Sequence, residues 1–518
     1  MRLLLGALVV VCASGLQFGC GDDEPVGASG GAGGVAGSGG TGGTSGSAGG
    51  GSGGTGGVIE PTLTPELYPK QPMVVDVNVA LPDGIEARLE LDAASADPGV
   101  HIASLPESDS EARTYRLRGL EPDTDYSADL VVGTDRFAVS FKTPAALPGY
   151  KSSFSVTTNG TPAPDYRMFD YSEAPVVGNA GVYLIDPLGK TRWFLAYPDA
   201  EALDDLPGGI KLLPDGNILF ILGDRMQIID ELGTVQSEVN VSQLGVPLFH
   251  HDIIALPNGN FLAISIETRE INYPADNQDH YVVGDFLVEF SPQGIITWSW
   301  SALDHLDPQR KRADFDNPFY PIFSPTTGEQ AKDWSHGNGV IYDATDDSLI
   351  FSMRHQDWII KIDHKTGDIV WKLGDEGDFT LNGDRWFFHQ HSPELQPDGS
   401  LVLFDNGVGD PYQNESLWNT RPMRIALDTQ TMEASIAWVD DQETYLSLIA
   451  GDIDRLSNDS FLILDSTVTE STSMPFPSHS RIREVDPTTG QWVWVLDGNE
   501  GDFSYRCIPS LRLPGEAE

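Results

Sequence analysis

Residues 336–374 read HGNGVIYDATDDSLIFSMRHQDWIIKIDHKTGDIVWKLG, a stretch that divides into two hairpins. Each hairpin pairs two largely apolar runs across a turn containing Asp or Gly, such as ATDD and HKTG. Such residues accept the positive φ angles of tight hairpin turns, so the stretch predicts four consecutive antiparallel strands. A four-stranded unit of this kind is typical of one blade of a β-propeller.

The same unit recurs from residue 148 to 518. The second hairpin returns in segments such as VYLIDPLGKTRWFLA, FLVEFSPQGIITWSW and SRIREVDPTTGQWVWVLDG, six in all and often with a tryptophan. The first hairpin is clear in five segments, among them GIKLLPDGNILFILGD and HSPELQPDGSLVLFDNG, and a degenerate sixth falls around residues 150–180. Helical periodicity is nearly absent. The chain is therefore predicted to be all-β, with a six-bladed β-propeller over residues 148–518.

A smaller β domain is predicted ahead of the propeller, at residues 59–147. It alternates in runs such as VVDVNVAL and TYRLRGL. The segment LRGLEPDTDYSADLVV resembles a fibronectin-type-III domain, in which Tyr126 would form the tyrosine corner. We expect a fibronectin-type-III/Ig-like β-sandwich, and no catalytic cluster is visible in this part of the sequence.

The N-terminus has the pattern of an export signal. Residues 1–20 contain a basic residue, a short apolar run and the pair Gly19-Cys20, which is typical of a bacterial lipoprotein cleavage site. Gln17 departs from the usual Leu, and an ordinary signal peptide cut nearby is the alternative. The Gly/Ser-rich residues 21–58 predict a flexible linker. We expect an exported protein anchored to a bacterial membrane by a lipid at Cys20, on its periplasmic or cell-surface side.

Charge and cysteine content restrict the partners and the chemistry. The formal net charge is −46 with an isoelectric point near 4.3, which argues against a nucleic-acid partner. The three cysteines are Cys12, Cys20 and Cys507. Only Cys507 would remain as a free thiol after processing, so no internal disulfide is expected, and Cys507 is predicted to have a packing role.

Three of the first hairpins begin with histidine, in FHHDII, DWSHGN and FHQHSP. The first strand of each such hairpin lines a propeller's channel, so these ends should meet at one rim. Alternation selects His251, His336 and His391, and turns neighbours such as His250 and His389 away. Counting across the turn near Thr345 places His336 opposite Arg354.

The same counting places His391 opposite Asn406, and Gly451 opposite Ser466. Three neutral imidazoles can hold zinc, but Arg354 would add a fixed positive charge beside the cation. A guanidinium among histidines suits a tetrahedral oxyanion instead, with one histidine as nucleophile and others moving protons. A metal-dependent hydrolase or sulfatase and a propeller that binds an anionic or aromatic ligand remain as alternatives.

The stretch that begins DWSHGNGVIYDATDD, with QHSPELQPDGSLVLFDNG, FHHDIIALPNGN and the closing GDFSYR, resembles the bacterial arylsulfate sulfotransferase family. The resemblance covers about residues 60–515. It implies transfer of a sulfuryl group from an aryl sulfate donor to an acceptor phenol, by a ping-pong route through a sulfated histidine. It implies no nucleotide, no cofactor and no metal, and it leaves oligomer formation open.

Individual roles follow from the same resemblance. His391 would be the nucleophile, Arg354 and Asn338 would bind the sulfate, and His336 would exchange protons. His251 would be a further acid or base, with His250 as the alternative. The late hydroxyl contact would be Ser466 or Thr467. Some family members carry a disulfide near the site, which this chain cannot form.

Overall fold

The computed structural model describes residues 60–82, 84–105, 112–173, 176–197, 207–275, 277–317, 319–469 and 478–518. Strands make up 51% of it and helices 3%, which confirms the all-β prediction. The expected signal peptide with Cys20 and the expected linker at residues 21–58 lie outside the described residues. In the part of the chain that is described, no helix combines the length and the apolar character needed to cross a membrane.

Residues 60–147 form two antiparallel sheets, in the orders β1-β2-β5-β4 and β3-β6-β7. Apolar side chains from both sheets share one buried core, because side chains alternate between the faces of a strand. The Tyr126 hydroxyl accepts a hydrogen bond of 2.8 Å from the backbone N–H of Glu121, the contact expected of a tyrosine corner. The strands are β1 (Thr62–Leu67), β2 (Val74–Ala80), β3 (Arg88–Leu91), β4 (His101–Ser104), β5 (Ala112–Arg118), β6 (Asp125–Val132) and β7 (Asp135–Lys142).

The described residues from 148 onward are built from short strands with a few single-turn helices. The strands are β8 (Val156–Thr158), β9 (Tyr166–Glu173), β10 (Val176–Ile185), β11 (Thr191–Tyr197), β12 (Gly208–Leu212), β13 (Ile218–Leu222), β14 (Arg225–Ile229), β15 (Val235–Asn240), β16 (Ile253–Ala255), β17 (Phe261–Tyr273), β18 (Gln278–Phe290), β19 (Ile296–Ser301), β20 (Lys332–Asp333), β21 (Gly337–Asp343), β22 (Ser348–Met353), β23 (Trp358–Asp363), β24 (Ile369–Gly374), β25 (Thr380–Asn382), β26 (His391–Leu395), β27 (Leu401–Asp405), β28 (Arg421–Asp428), β29 (Glu433–Val439), β30 (Leu446–Ser447), β31 (Asp452–Arg455), β32 (Phe461–Thr469), β33 (His479–Asp486), β34 (Gln491–Asp497), β35 (Asp502–Phe503) and β36 (Cys507–Ser510). The α-helical turns are α1 (Val241–Leu244) and α2 (Ala302–His305), and 3-10 turns occur at Arg354–Gln356 and Glu415–Leu417.

These strands form six successive sheets with four principal antiparallel strands each. The orders are β36-β9-β10-β11, β12-β13-β14-β15, β16-β17-β18-β19, β21-β22-β23-β24, β26-β27-β28-β29 and β31-β32-β33-β34. The first strands contact one another in a closed circuit, from β12 through β16, β21, β26, β31 and β36 back to β12. Residues at the starts of these strands are therefore brought towards one another.

The two ends of the region are paired together. The sequence predicted a degenerate sixth hairpin around residues 150–180, but its first strand is β36, from the C-terminus, which pairs with β9. At the other edge, β8 pairs with β34 of the last sheet. Strands from the start and the end of this region, β8 and β36, are thus added to the last and the first sheet, respectively. Cys507 is a buried free thiol in β36, in keeping with a packing role.

The recurring tryptophans connect neighbouring sheets. The indole N–H of Trp193 donates to the Glu231 carbonyl, and that of Trp300 donates to the Gly367 carbonyl, each in the next sheet. The indole of Trp494 likewise donates to a carbonyl of the first sheet, that of Pro187. A large apolar ring with one donor can fill the space between two sheets and still satisfy its polar atom, so the tryptophan of the repeat fastens one sheet to the next.

Candidate active site

The histidines predicted from the hairpin starts lie close together. His251 precedes β16, His336 precedes β21, and His391 begins β26. The rings of His251 and His336 are 4.8 Å apart between centroids. The side chain of Asn338, two residues after His336, donates to the backbone carbonyl of Gln390, beside His391, at 2.7 Å. Three successive sheets therefore contribute to one polar cluster.

Several residues of this cluster have left-handed backbone conformations. The φ angles are 59° at His251, 48° at His336, 54° at His389 and 48° at Ser392. Such angles are uncommon for residues with a side chain, and each costs on the order of 1 kcal/mol or more. This backbone strain recurs at the starts of the first strands of three sheets. It indicates that the left-handed conformations are maintained for a function.

His391 is held by Asn406, as the hairpin counting predicted. Its Nδ1 lies 2.7 Å from Asn406 Oδ1, although its backbone pairs with Phe404 because the strand is irregular there. Asn406 Nδ2 donates to the carbonyls of Ser447 and Ala450, at 2.8 and 2.9 Å. Both amide hydrogens are therefore used, Oδ1 must accept, and His391 carries its proton on Nδ1. The lone pair of the neutral ring is then on Nε2, the nitrogen available for attack.

Burial lowers the pKa of His391 to about 3, and the charge of Arg354 adds to the effect. The ring is therefore neutral near pH 7 and keeps the lone pair that a nucleophile requires.

We expect Asn406→Ala to slow the chemistry at His391 without unfolding the protein. The variant removes the acceptor that fixes the Nδ1–H tautomer, so Nε2 no longer presents its lone pair consistently. Loss of a partner that orients a reacting ligand typically costs about 10- to 100-fold. The single-turnover rate of the reaction at His391 should fall by that factor, while the half-saturating substrate concentration changes little. An unchanged rate would show that Asn406 does not set the tautomer.

Arg354 lies beside His336, also as predicted, with its backbone N–H donating to the His336 carbonyl at 3.1 Å. Its Nη1 donates to Asp314 Oδ2 at 2.8 Å. Among the described residues this is the one hydrogen bond of the guanidinium, so its other donors are available to an anion. Burial alone would raise the pKa of Asp314, but the neighbouring His389 and Arg354 hold it well below its usual value. An ionised carboxylate thus anchors the cation from one side.

His250 and His251 form a pair in which His250 orients the ring of His251 by a hydrogen bond. Their Nδ1 atoms are 2.6 Å apart, and His250 Nε2 lies 3.2 Å from the Ser265 carbonyl and 3.3 Å from Asp285 Oδ1. Because those two groups accept, His250 carries its proton on Nε2 and its Nδ1 accepts from His251. The Tyr320 hydroxyl also reaches His250 Nδ1, at 3.2 Å. Both His250 nitrogens are occupied by the protein, whereas His251 retains Nε2 for a substrate.

His336 pairs with a buried carboxylate. Its Nδ1 lies 2.6 Å from Asp333 Oδ2, and its ring stacks on that of His355 at 4.6 Å between centroids. Burial, followed by the charges of His355 and Arg354, places the pKa of His336 well below its usual value. Burial raises the pKa of Asp333 to about 7. Burial, more than the charge of Arg354, therefore keeps His336 neutral.

Ligand atoms of Asp333, His336 and His355 also lie within 4.8 Å of one another, so these residues could hold a metal ion. In the structure, however, His336 Nδ1 is hydrogen-bonded to Asp333, and His355 Nδ1 lies 3.0 Å from the Asp333 carbonyl. A cation would have to replace those hydrogen bonds, and Arg354 directly follows β22 beside His355. The carboxylate and the two imidazoles are suitable metal ligands. Their present hydrogen bonds and the positive charge of Arg354, however, oppose the binding of a cation.

The polar residues that were predicted to contact a substrate, Asn338, Ser466 and Thr467, differ in their hydrogen bonding. Asn338 Oδ1 and Ser466 Oγ are buried and have no hydrogen-bond partner among the described residues. The Thr467 hydroxyl instead bonds to the backbone of Ile449, at 3.2 Å from its nitrogen and 3.3 Å from its oxygen. Of the two hydroxyl candidates, Ser466 is therefore the one with free hydrogen-bonding capacity. The register places Ser466 one residue away from the predicted alignment with Gly451, since Asp452 pairs with Leu464.

Sequence reasoning missed a second buried arginine. Arg506 precedes β36, and its Nη2 donates to the Asn338 carbonyl at 2.7 Å. Its Nη1 donates to Asp452 Oδ1 at 3.2 Å, and Asp252 Oδ2 lies 3.8 Å from Nη2. The C-terminal segment thus adds a positive charge beside the cluster. Burial is the main cause of the low pKa of His251 and His391, and the charge of Arg506 lowers both values further. The sequence signal was the closing GDFSYR, which no hairpin count could place.

The buried histidines each contribute a loss of stability in mild acid, which buried carboxyl groups with a raised pKa, such as Asp333, oppose. Burial lowers the pKa of His251, His336, His389 and His391, so the native state does not take up the protons that the unfolded state binds below pH 6.5. The stability that these histidines contribute is therefore complete well above that pH and falls as the pH decreases. Each such histidine should remove about 1.4 kcal/mol from the free energy of unfolding between about pH 7.5 and 5.5.

Denaturant unfolding at both pH values measures this loss. His391→Asn retains a donor towards Asn406 but cannot take up a proton. Its pH-dependent loss should be smaller than that of the wild type by about 1.4 kcal/mol. An identical loss in both proteins would contradict a depressed pKa at His391.

Comparison with known proteins identifies relatives of this chain. The sequence profile of the arylsulfotransferase (ASST) family matches residues 155–506. The arylsulfate sulfotransferase AssT of Escherichia coli is 24% identical over 294 residues, covering 45% of this chain and 48% of that protein. AssT of Lelliottia amnigena is 23% identical over 283 residues, covering 44% of this chain and 46% of that protein. This chain spans about half the length of the curated relatives it matches.

Among solved structures, domains 5–6 of the S-layer protein SbsC match with 10% identity and a TM-score of 0.14, covering 47% of this chain and 96% of that one. A likeness at that score carries no argument about the fold. The family match, in contrast, extends over more than half of the chain and includes the starts of all three histidine-bearing strands. The chain therefore belongs to the arylsulfotransferase family.

Proposed function

We propose that this protein transfers a sulfuryl group from an aryl sulfate to an acceptor phenol, by way of a sulfated His391. The observation that carries the proposal is the hydrogen bond between His391 and Asn406, which leaves Nε2 as a neutral nucleophile. Arg354, with donors to spare in a buried setting, supports binding of the sulfate oxygens. Family membership supports the aryl sulfate as the donor class.

The fold we propose for this site is a six-bladed β-propeller, preceded by a fibronectin-type-III-like β-sandwich at residues 59–147. The closed circuit of inner strands and the pairing of the chain ends support six blades around a common axis. The shared core of the first two sheets and the Tyr126 contact support the sandwich. In this arrangement the histidines lie at one mouth of the channel.

The first half-reaction forms an N–S bond and breaks an S–O bond. The Nε2 lone pair of His391 attacks sulfur, and the electron pair of the S–O bond leaves on the phenolate oxygen. The imidazole then carries a positive charge next to the negative sulfuryl oxygens, and its more acidic Nδ1–H stays bonded to Asn406. Arg354 offsets the charge on the sulfate oxygens, where preorganised donors contribute most.

The departing phenolate needs a proton, and His336 is placed to deliver it. If Asp333 holds a proton, it donates to His336 Nδ1 while His336 releases its own Nε2 proton to the phenolate, so the pair loses one proton in total. His251, whose proton is on Nδ1, has a lone pair on Nε2 and can accept the proton of the acceptor phenol in the other half-reaction. In the other half-reaction the acceptor phenol returns its proton and attacks sulfur, the N–S bond breaks, and its electron pair returns to His391.

A donor-plus-acceptor assay tests the proposed activity. Purified protein is mixed with a nitrophenyl sulfate, with and without a second phenol, and both phenol release and the new sulfate ester are measured. Transfer predicts that the acceptor accelerates release and appears as its sulfate ester. Release at the same rate without an acceptor, with free sulfate as the product, would contradict transfer and indicate a sulfatase.

The cluster of Asp333, His336 and His355 favours a metal-dependent hydrolase as a second candidate. This function predicts one tightly bound divalent cation per chain and hydrolysis that is lost to chelators and restored by the metal. Metal analysis of protein purified without chelator decides between the two. Sulfuryl transfer that survives chelation, in metal-depleted protein, would exclude the hydrolase.

For its location we propose export through residues 1–20 and a lipid anchor at Cys20, with residues 21–58 as a tether. Support comes from the Gly19-Cys20 pair after an apolar run. Labelling of expressing bacteria with a fatty-acid analogue should mark the wild type but not Cys20→Ser. Equal labelling of the two would contradict the anchor.

A further inference from the structure

One segment between α2 and β20, residues 306–331, contacts the histidine cluster at several points. We call it the covering segment and describe it apart from residue 318. Asp314 holds Arg354, and Tyr320 reaches His250 through its hydroxyl. The segment is secured on itself, since Gln330 donates to the Tyr320 carbonyl at 2.8 Å. It therefore brings its side chains to the cluster in a defined position.

Phe319 is a residue of this segment that contacts two of the histidines and has no role in the proposed mechanism. Its ring lies 4.7 Å from that of His336 at an interplanar angle of 82°, and 6.4 Å from that of His251. It is 39% exposed, although it adjoins buried polar groups. The neighbouring Tyr320 ring supports it edge to face at 5.3 Å. An apolar ring fixed at the edge of a polar cluster leaves a free aromatic surface next to two proton-exchanging histidines.

We propose that Phe319 is the platform against which the aromatic ring of the donor and of the acceptor packs, and that it determines the preference for aryl over alkyl esters. The assignment of donor and acceptor rests on the proposed function, while ring binding as such does not. A sulfuryl group between His391 and Arg354 directs the ester oxygen towards His336, which is to protonate it and whose ring lies 4.8 Å from that of His251. The carbon skeleton beyond that oxygen then comes next to Phe319.

Two properties of Phe319 support selection of aromatic ligands. Aromatic pairs gain stability beyond simple apolar contact, in offset-stacked or edge-to-face geometry. A flat ring bonded to the ester oxygen can adopt either arrangement against Phe319, whereas a short alkyl chain cannot. In addition, the Tyr320 contacts restrain the segment before binding, which lowers the entropic cost of ordering it.

Binding of unreactive sulfonates tests the platform separately from catalysis, because their C–S bond is not transferred. Calorimetry compares 4-toluenesulfonate with methanesulfonate for the wild type, Phe319→Leu and Phe319→Tyr. Phe323→Leu is the matched control, since Phe323 is a 55% exposed phenylalanine of the same segment with no role in the site. Phe319→Leu should weaken toluenesulfonate binding about 3- to 10-fold and leave methanesulfonate binding unchanged. Phe319→Tyr and Phe323→Leu should bind both probes like the wild type.

The outcomes separate this inference from the proposed function. Three results would overturn the proposed role of Phe319, even if the enzyme transfers sulfuryl groups. They are equal weakening of both sulfonates in Phe319→Leu, no weakening in that variant, and a wild type that does not prefer toluenesulfonate. Selective weakening in a protein that transfers nothing would support the platform and refute the proposed function. In an active enzyme, Phe319→Leu should raise the KM for aryl sulfates more than it lowers kcat.

Discussion

Replacing His391 with alanine is expected to abolish sulfuryl transfer and formation of the covalent adduct. The variant removes the atom that forms the N–S bond, and in the described part of the chain no other imidazole of the cluster shows a side-chain amide contact like that of His391 with Asn406. Loss of a nucleophile that acts together with its supporting groups costs at least about 10⁴-fold. Rates of phenol release and of ester formation in the donor-plus-acceptor assay measure this loss. His364→Ala is the control, because that histidine bonds to Glu289 and Asp347 away from the cluster.

The contrast with His336→Ala distinguishes nucleophile from proton donor. His336→Ala should slow transfer most for phenols that leave poorly, because these need a proton as the S–O bond breaks. With a nitrophenyl sulfate it should still form some adduct. If His336→Ala loses the adduct completely while His391→Ala retains it, the nucleophile has been assigned to the wrong strand.

Replacing Arg354 with glutamine is expected to reduce both half-reactions by about 10²- to 10³-fold. The guanidinium of Arg354 has a single hydrogen bond among the described residues, so its other donors can bind the transferring group, and its loss removes that preorganised compensation. The rate of adduct formation and the rate of its discharge to a phenol should fall together. Arg354→Lys should recover only part of the rate, because an ammonium cannot provide the planar pair of donors.

A stability effect accompanies the loss of Arg354, since the buried Asp314 would lose its permanent positive partner and keep only the contacts with His389, His355 and Asn317. Breaking such a pair from one side typically costs about 3–5 kcal/mol. The double variant Arg354→Gln/Asp314→Asn removes both charges and should recover most of the free energy of unfolding while remaining inactive. Recovery of activity together with stability would show that Arg354 acts only through the fold.

Local patterns in the sequence were sufficient to predict the hairpins and the meeting of His336 with Arg354. Both follow from counting across a tight turn, where each partner's position is fixed by strand periodicity. The contact between His391 and Asn406 was predicted in the same way, although an irregularity in β26 changes the backbone partner to Phe404. The side chains still meet because the turn places both at the same end of the hairpin.

Contacts between distant segments could not be predicted by counting. Asp314 and Phe319 come from the covering segment, which has no strand periodicity, and Arg506 comes from the far end of the chain. The first strand of the first sheet is likewise contributed by the C-terminus, so a search for a sixth consecutive hairpin misplaced it. These contacts depend on tertiary packing, which no local repeat specifies.

Mapping the sulfuryl group on the protein tests the central claim most directly. The wild type is incubated with a nitrophenyl sulfate in the absence of an acceptor and is then analysed by intact mass and by fragmentation of its peptides. The account predicts a gain of one SO₃ group, located on His391 and lost when a phenol is added. A wild type that turns over the donor in the presence of a phenol without ever carrying the group, or that carries it on another residue, would contradict the account.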